Sequence, residues 1–177
     1  MTSVQAKGRL KFVTVMHVML FVVMLLKLSD DLLDRMDIFV LALQELYIPK
    51  PRLWEWVWAA SVLSTWVGLK SLKKNNVTLL KIFAFLIGSF SFLPIFYYLV
   101  YWFSDFKDFA SRSSSSSDAG PLGPEEATNQ AVEKWRGYPV GLIWYPFLVV
   151  ALQVHLLQLY FASVLIRVWS SRSRKSD

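Results

Sequence analysis

Two long stretches without a charged residue constrain this chain more than any other feature. No Asp, Glu, Lys or Arg occurs over residues 82–104 or 137–166. A helix of about 20 apolar residues crosses the hydrocarbon core of a bilayer. The hydrophobic share of 55% and the charged share of 18% depart from soluble domains in the same direction. The sequence therefore predicts an all-α integral membrane protein and argues against a soluble enzyme or a disordered chain.

Four stretches approach or reach the length of a membrane-spanning helix. They comprise residues 11–28, 53–69, 78–103 and 138–166. The first follows basic residues, as the apolar core of a signal peptide does, but no small-residue cleavage pattern comes after it. We therefore expect an uncleaved first helix, and a single membrane domain over residues 1–177 that folds as a four-helix bundle.

The placement of lysine and arginine predicts the orientation of these spans. Basic segments precede the first span, separate the second from the third and follow the fourth, whereas the two other connections are balanced or acidic. Because Lys and Arg stay on the cytosolic side, we expect both termini, including the tail 167–177, to be cytosolic. The same alternation assigns the net charge of +6 to membrane topology, so the expected partner is the lipid bilayer and not nucleic acid.

The two non-basic connections have different patterns. Apolar residues recur at helical spacing over residues 30–47, with Ser29 as a plausible N-cap and Pro49 beyond the end. This pattern predicts an additional amphipathic helix at the membrane interface. Residues 112–129 are rich in serine, glycine and proline, which predicts a disordered loop.

Small residues and one proline indicate how the helices pack. Ala60, Ser64 and Gly68 stand four apart, a stripe that lets helix backbones approach closely in a membrane. Pro94 is expected to kink or break the third span. Trp and Tyr concentrate near the predicted span ends, where they would form interfacial belts.

Polar side chains inside the predicted spans are the candidates for a functional role. The fourth span contains Gln153, His155 and Gln158, and the first contains His17. His155 and Gln158 share a helix face, while Gln153 points elsewhere. We expect hydrogen bonds between helices that fix the bundle or an oligomer of it. The alternative is a small channel or transporter that uses His155, Gln158 and the break at Pro94.

The sequence offers no sign of catalysis or of a bound cofactor. It lacks paired carboxylates within a span, the nucleophile-elbow and metalloprotease motifs and a phosphate-binding glycine loop. Two histidines without nearby carboxylates, in a chain without cysteine, make a poor metal site. We therefore expect no enzyme activity and no catalytic, cofactor-binding or metal-binding residues.

Two short signals concern the predicted cytosolic side. Arg174 and Lys175 near the C-terminus resemble the dibasic retrieval signal that vesicle coat proteins read for return to the endoplasmic reticulum. A basic flank that only anchors the last span is the other interpretation, and both stay open. The glycosylation sequon at 76–78 is expected to remain unmodified because it lies on the cytosolic side.

Two stretches of the chain resemble the Jagunal family of endoplasmic reticulum membrane proteins. One runs from Gly68-Leu69-Lys70-Ser71 to Asn75-Asn76-Val77-Thr78, and the other is Gln153 to Tyr160, read as QVHLLQLY. The resemblance implies a multi-pass protein that organises the endoplasmic reticulum and supports vesicle-mediated transport in the early secretory pathway, without catalysis. The family-motif residues carried over are Asn75, Asn76, Gln153, His155, Gln158 and Tyr160.

Overall fold

A computed structural model describes residues 2–41, 45–115, 134–135 and 138–173 of the chain. Its elements are α1 (Ser3–Arg35), α2 (Leu53–Ala60), α3 (Val62–Lys74), α4 (Val77–Leu86), a π-helical segment (Ile87–Phe92), α5 (Leu93–Ser115), β1 (Lys134–Trp135), β2 (Tyr138–Pro139) and α6 (Val140–Ser173). The prediction of an all-α membrane bundle is confirmed, because nearly all of these residues are helical. The strands among them form a single antiparallel pair of two residues each.

Among the residues that the structure describes, three helical stretches are long and apolar enough to cross a membrane. They are Ser3–Arg35, Val77–Phe103 and Val140–Ser171, and they contain most of the first, third and fourth predicted spans. The second predicted span is divided, because α2 has 8 residues and α3 has 13, joined at Ser61. Ser61 keeps a helical backbone with φ −61° and ψ −20°, so the division is a local irregularity in a helical path. The count of four crossings stays a prediction.

Contacts at the helix ends show how the chain runs back and forth. The Lys7 ammonium donates to the Asn75 side chain, and Trp169 Nε1 donates to Ser3 Oγ over 3.2 Å. We call this end, which joins the start of α1, the α3–α4 turn and the end of α6, the terminal end. At the opposite end, the far end, Lys27 pairs with Glu55.

Within the described parts of the chain, the core of the bundle has two apolar clusters. One lies toward the terminal end and includes Leu10, Phe83 and Leu165. The other lies toward the far end and includes Met24 and Leu148. The polar side chains of the candidate site lie between these clusters.

Gly68 brings α3 against α4. A Cβ atom added at Gly68 would lie 2.8 Å from Cδ2 of Phe83, too close for any real contact. The Phe83 ring thus packs directly on Gly68. Of the predicted small-residue stripe, Ser64 and Gly68 are buried, whereas Ala60 is exposed. Gly88, in contrast, has open space where a Cβ would stand.

The predicted break at Pro94 takes the form of a widened helical turn. Pro94 has no N–H and its ring would clash with the carbonyl one turn earlier in a regular helix. The chain becomes π-helical over Ile87–Phe92, where Leu93 N–H donates to Gly88 O, five residues back. The helix is therefore adjusted at this point but continues into α5.

The structure departs from the predicted interfacial helix over 30–47. Residues 30–35 belong to α1, where Ser29 Oγ donates to Leu26 O over 2.7 Å instead of capping a new helix. No glycine or proline occurs between Ser29 and Asp37, so α1 continues past Ser29 to Arg35. Asp37, which follows the end of α1, has a positive φ of 55°. Residues 38–40 are not helical, and residues 42–44 lie outside the described part.

The predicted disordered loop over 112–129 is tested only at its start. There α5 continues as a helix to Ser115, so residues 112–115 are helical and not disordered. Residues 116–129 lie outside the described part of the chain.

Candidate functional site

A layer of polar side chains crosses the centre of the bundle. Its members come from α1, from both sides of the α2–α3 junction and from α6, and all are buried: His17, Trp58, Ser61, Thr65, His155 and Gln158. We call this set the polar layer. Because α1, α2–α3 and α6 all contribute, the polar layer joins three parts of the chain that are distant in sequence.

Trp58 sets the direction of the hydrogen bonds on the α6 side of the layer. Its indole Nε1 donates to His155 Nε2 over 3.0 Å. An indole N–H can only donate, so His155 Nε2 is the acceptor and the ring proton is on Nδ1. His155 Nδ1 then donates to Gln158 Oε1 over 2.9 Å.

The same direction continues to α1 through Gln158. Gln158 Nε2 lies 3.5 Å from His17 Nδ1, which is long for a hydrogen bond. His17 Nε2 lies 3.1 Å from Ser61 Oγ and donates to it when Nδ1 is the acceptor. Thr65 Oγ1 is a second donor within 3.5 Å of His17 Nδ1. With Nδ1 of His17 as an acceptor both histidines are neutral, and the contacts of these side chains form one path from α6 to α1.

The irregular backbone at Ser61 places the Ser61 hydroxyl next to His17. The Ser61 N–H donates to Trp58 O, and the Ser64 hydroxyl donates to Ser61 O over 2.6 Å. These bonds pair backbone N–H and C=O groups at the junction between α2 and α3, which would otherwise be unpaired at a buried helix end. The α2–α3 junction is therefore part of the polar layer.

The aromatic rings of the polar layer are closely packed. The His17 and His155 rings meet edge to face with centroids 4.6 Å apart, and Trp58 meets Phe147 at 5.3 Å. Within the described residues, no three His, Asp, Glu or Cys side chains come together as a metal site would require. The arrangement can fix the register of three helices. In its serine–histidine contact the His17 ring donates to Ser61 Oγ, so His17 is not set as a base for that hydroxyl, and the polar layer includes no carboxylate.

The terminal end of the bundle carries basic side chains beside aromatic ones. Lys70 Nζ lies 4.7 Å above the Trp66 ring, and an open groove of about 560 Å³ is lined by Trp66, Leu69, Lys70, Lys73 and Lys74. We call it the lysine groove. No Asp or Glu occurs over residues 56–104, so neighbouring sequence offers these lysines no counter-charge.

At the far end, two basic side chains, Lys27 and Arg52, make contacts within the bundle. Lys27 pairs with Glu55, with 8% and 2% of the two side chains exposed, and Lys27 Nζ also lies 5.2 Å above the Trp144 ring. The Arg52 guanidinium stands 5.7 Å from the Trp102 ring. These contacts tie α1, α2, α5 and α6 together.

The family-motif residues fall into three environments. Asn75 takes a left-handed conformation with φ 52° at the end of α3, and Asn76 Oδ1 accepts from Leu79 N–H over 3.1 Å as the cap of α4. His155 and Gln158 lie in the polar layer. Gln153 and Tyr160 are exposed on the outer face of α6. Arg174 and Lys175 lie outside the described residues.

Sequence reasoning missed half of the polar layer. The sequence pattern predicts an interfacial belt for tryptophans near span ends, Trp58 among them, and it indicates no role for Ser61 or Thr65. One signal was present: Trp58, Ser61 and Thr65 stand three and four apart, so they share the helix face that a polar partner could use. Which helix supplies that partner depends on the tertiary arrangement.

Comparisons with known proteins agree with the resemblance found in the sequence. The family model "Jagunal, ER re-organisation during oogenesis" matches residues 1–173. The chain is similar to Protein jagunal of Drosophila melanogaster, with 42% identity over 171 residues, 97% of this chain and 82% of the relative. It is 27% identical to Protein jagunal homolog of Caenorhabditis elegans, over 97% of this chain and 85% of that protein. With Protein jagunal homolog 1 of Homo sapiens the identity is 24%, over 98% and 82%.

Proposed function

Since the chain belongs to the Jagunal family, we propose that it is a non-enzymatic protein of the endoplasmic reticulum membrane that supports reticulum organisation and vesicle-mediated transport in the early secretory pathway. The observation that supports a non-enzymatic role is the structure of the polar layer. Its histidines are occupied by neutral hydrogen bonds between buried side chains, so it serves to hold the helices in register.

The proposed topology has four crossings with both termini in the cytosol. The support comes from the terminal end, where the Lys7–Asn75 and Ser3–Trp169 contacts gather the basic segments of the chain at one end of the bundle. Basic segments stay cytosolic. The far end then faces the lumen, with Lys27 neutralised by Glu55.

On this topology the lysine groove faces the cytosol at the level of the lipid headgroups. Trp66 is exposed and Lys70, Lys73 and Lys74 follow it on one face of α3. Aromatic rings favour the interface, and each lysine near an anionic surface contributes about 1 kcal/mol of attraction. We propose anionic headgroups as partners of this groove, and vesicle coat proteins as partners of the tail through Arg174 and Lys175.

A channel or transporter is the second candidate function, and one observation favours it. Ser91 lies in the π-helical segment, and its buried hydroxyl has no hydrogen-bond partner among the described residues. Widened helical turns often occur at functional sites. A path for a solute would have to pass the polar layer, so it would depend on His155.

One pair of experiments separates these two functions. In cells without the endogenous protein, wild type and His155→Leu are compared for reticulum morphology and for transport of a secreted cargo. The same purified proteins are reconstituted into liposomes and assayed for ion and solute flux. The proposal expects wild type to restore morphology and transport in cells and to conduct nothing in liposomes. Flux that His155→Leu abolishes would overturn it in favour of the channel.

A further inference from the structure

The outer face of α6 contains a polar group where lipid would be expected. Exposed side chains recur along α6 at alternating intervals of three and four residues: Ile143, Pro146, Val150, Gln153, Leu157 and Tyr160. We call this set the outer stripe. Gln153 lies near the middle of the stretch Val140–Ser171 that could cross a membrane.

The carboxamide of Gln153 has no hydrogen-bond partner among the residues that the structure describes. Its neighbours along the stripe, Val150 and Leu157, are apolar and nearly half exposed. Lipid tails cannot accept or donate hydrogen bonds, so an amide exposed to them is costly. On the outer face of α1, in contrast, the exposed residues Val15, Met19 and Val22 are all apolar, as expected of a surface in contact with lipid.

We propose that the outer stripe of α6 is a contact surface for a second copy of this chain. A carboxamide has both a donor and an acceptor, so two Gln153 side chains related by a two-fold axis bind each other reciprocally. Both copies have the same orientation in the membrane. The axis is therefore parallel to the membrane normal, and two α6 helices pack in parallel.

The spacing of the outer stripe fits this packing. Alternating steps of three and four residues keep one seam in contact when two helices cross at about 20° with a left-handed supercoil. Tyr160 stands seven residues after Gln153 on the same seam and is 57% exposed. Its hydroxyl can donate and accept, so it adds a second self-complementary group two turns further along. This inference does not depend on the proposed function.

The absence of cysteine from the chain permits a direct test. Single-cysteine variants V150C and L157C place a thiol on the outer stripe, and M19C and F96C place one on the exposed faces of α1 and α5 as matched controls. The full chain is expressed in cells, and its membranes are treated with an oxidant that joins nearby thiols. We expect a covalent dimer from V150C and L157C and little from M19C or F96C.

A second substitution tests the role of the amide. Adding Q153L to V150C should lower the yield of dimer about three- to tenfold, the effect of losing the reciprocal hydrogen bonds between two membrane helices, whereas Q153N should retain most of it. Equal yields at all four positions, no dimer from the stripe, or an adduct with a different membrane protein in place of the dimer would overturn the proposal. The four-position scan keeps Gln153 intact, so it decides the matter even where Q153L fails to fold.

Discussion

The two ends of the bundle differ in the environment of their lysine side chains. At the far end, Lys27 is buried against Glu55 and Trp144. At the terminal end, Lys7 joins α1 to the α3–α4 turn through Asn75, but Lys70, Lys73 and Lys74 line an open groove. A buried ion pair therefore stabilises the fold at the far end. The three lysines of the groove remain available for a surface or a partner.

Removal of one buried charge should produce the largest effect. Lys27→Met leaves the Glu55 carboxylate buried without its partner, which costs about 3 kcal/mol of the free energy of unfolding. Lys70→Met, at the open end, should change it by less than about 0.5 kcal/mol. Unfolding in detergent micelles measures both.

The double variant Lys27→Met with Glu55→Gln sharpens this result. It removes both charges, so much of the lost stability should return. If Lys27→Met and Lys70→Met are equally destabilising, the two ends do not differ as described.

Gly68 tests whether packing holds the terminal end. Gly68→Ala forces a Cβ against Phe83, and we expect a loss of about 1–3 kcal/mol from overpacking. The matched variant is Gly88→Ala, whose Cβ meets open space. It should be neutral or slightly stabilising because alanine favours helix. Thermal unfolding of the two variants in the same micelles checks the difference, and a neutral Gly68→Ala would contradict it.

The polar layer between the two ends should respond at an intermediate level. Gln158→Leu removes the acceptor of His155 Nδ1–H and the bridge to His17, which costs about 1–2 kcal/mol for an unpaired buried donor. Gln153→Leu, on the outer face of the same helix, should leave the stability of the monomer unchanged. Equal losses for the two glutamines would show that the inner and outer faces of α6 are not distinct.

The smallest effect on stability, but a clear effect on binding, is expected at the lysine groove. Replacing Lys70, Lys73 and Lys74 together with Gln should barely change unfolding, and it should weaken binding to anionic vesicles by up to about 3 kcal/mol, or 1 kcal/mol per lysine. Flotation of the protein, held in nanodiscs of neutral lipid, with vesicles of neutral or anionic lipid measures this. Free phosphate in the buffer tests whether an inorganic anion competes. Unchanged preference for anionic vesicles would exclude the groove as their site.

Much of this fold could be predicted from the sequence, because a bilayer requires long apolar helices. Helices cover residues 82–104 and 140–166 of the two uncharged stretches. The helical period also separates Gln153 from His155 and Gln158. These predictions rest on local pattern, which a single sequence contains.

The sequence could not reveal how helices meet. The partner of His155 is Trp58, 97 residues away along the chain, and an aromatic residue near a span end is equally typical of an interfacial belt. The continuation of α1 past Ser29 was missed for a similar reason. A serine can cap a helix or bond within it, and only the structure decides between the two.

The central claim is that the terminal end faces the cytosol after an even number of crossings, and labelling of single cysteines tests it most directly. The variants S3C and N75C lie at the terminal end, and D37C lies beyond the opposite end of α1. A membrane-impermeant maleimide is applied to cells whose plasma membrane alone has been opened. The account predicts that S3C and N75C are labelled at once and D37C only after the reticulum membrane is also opened. Labelling of S3C with protection of N75C would contradict it.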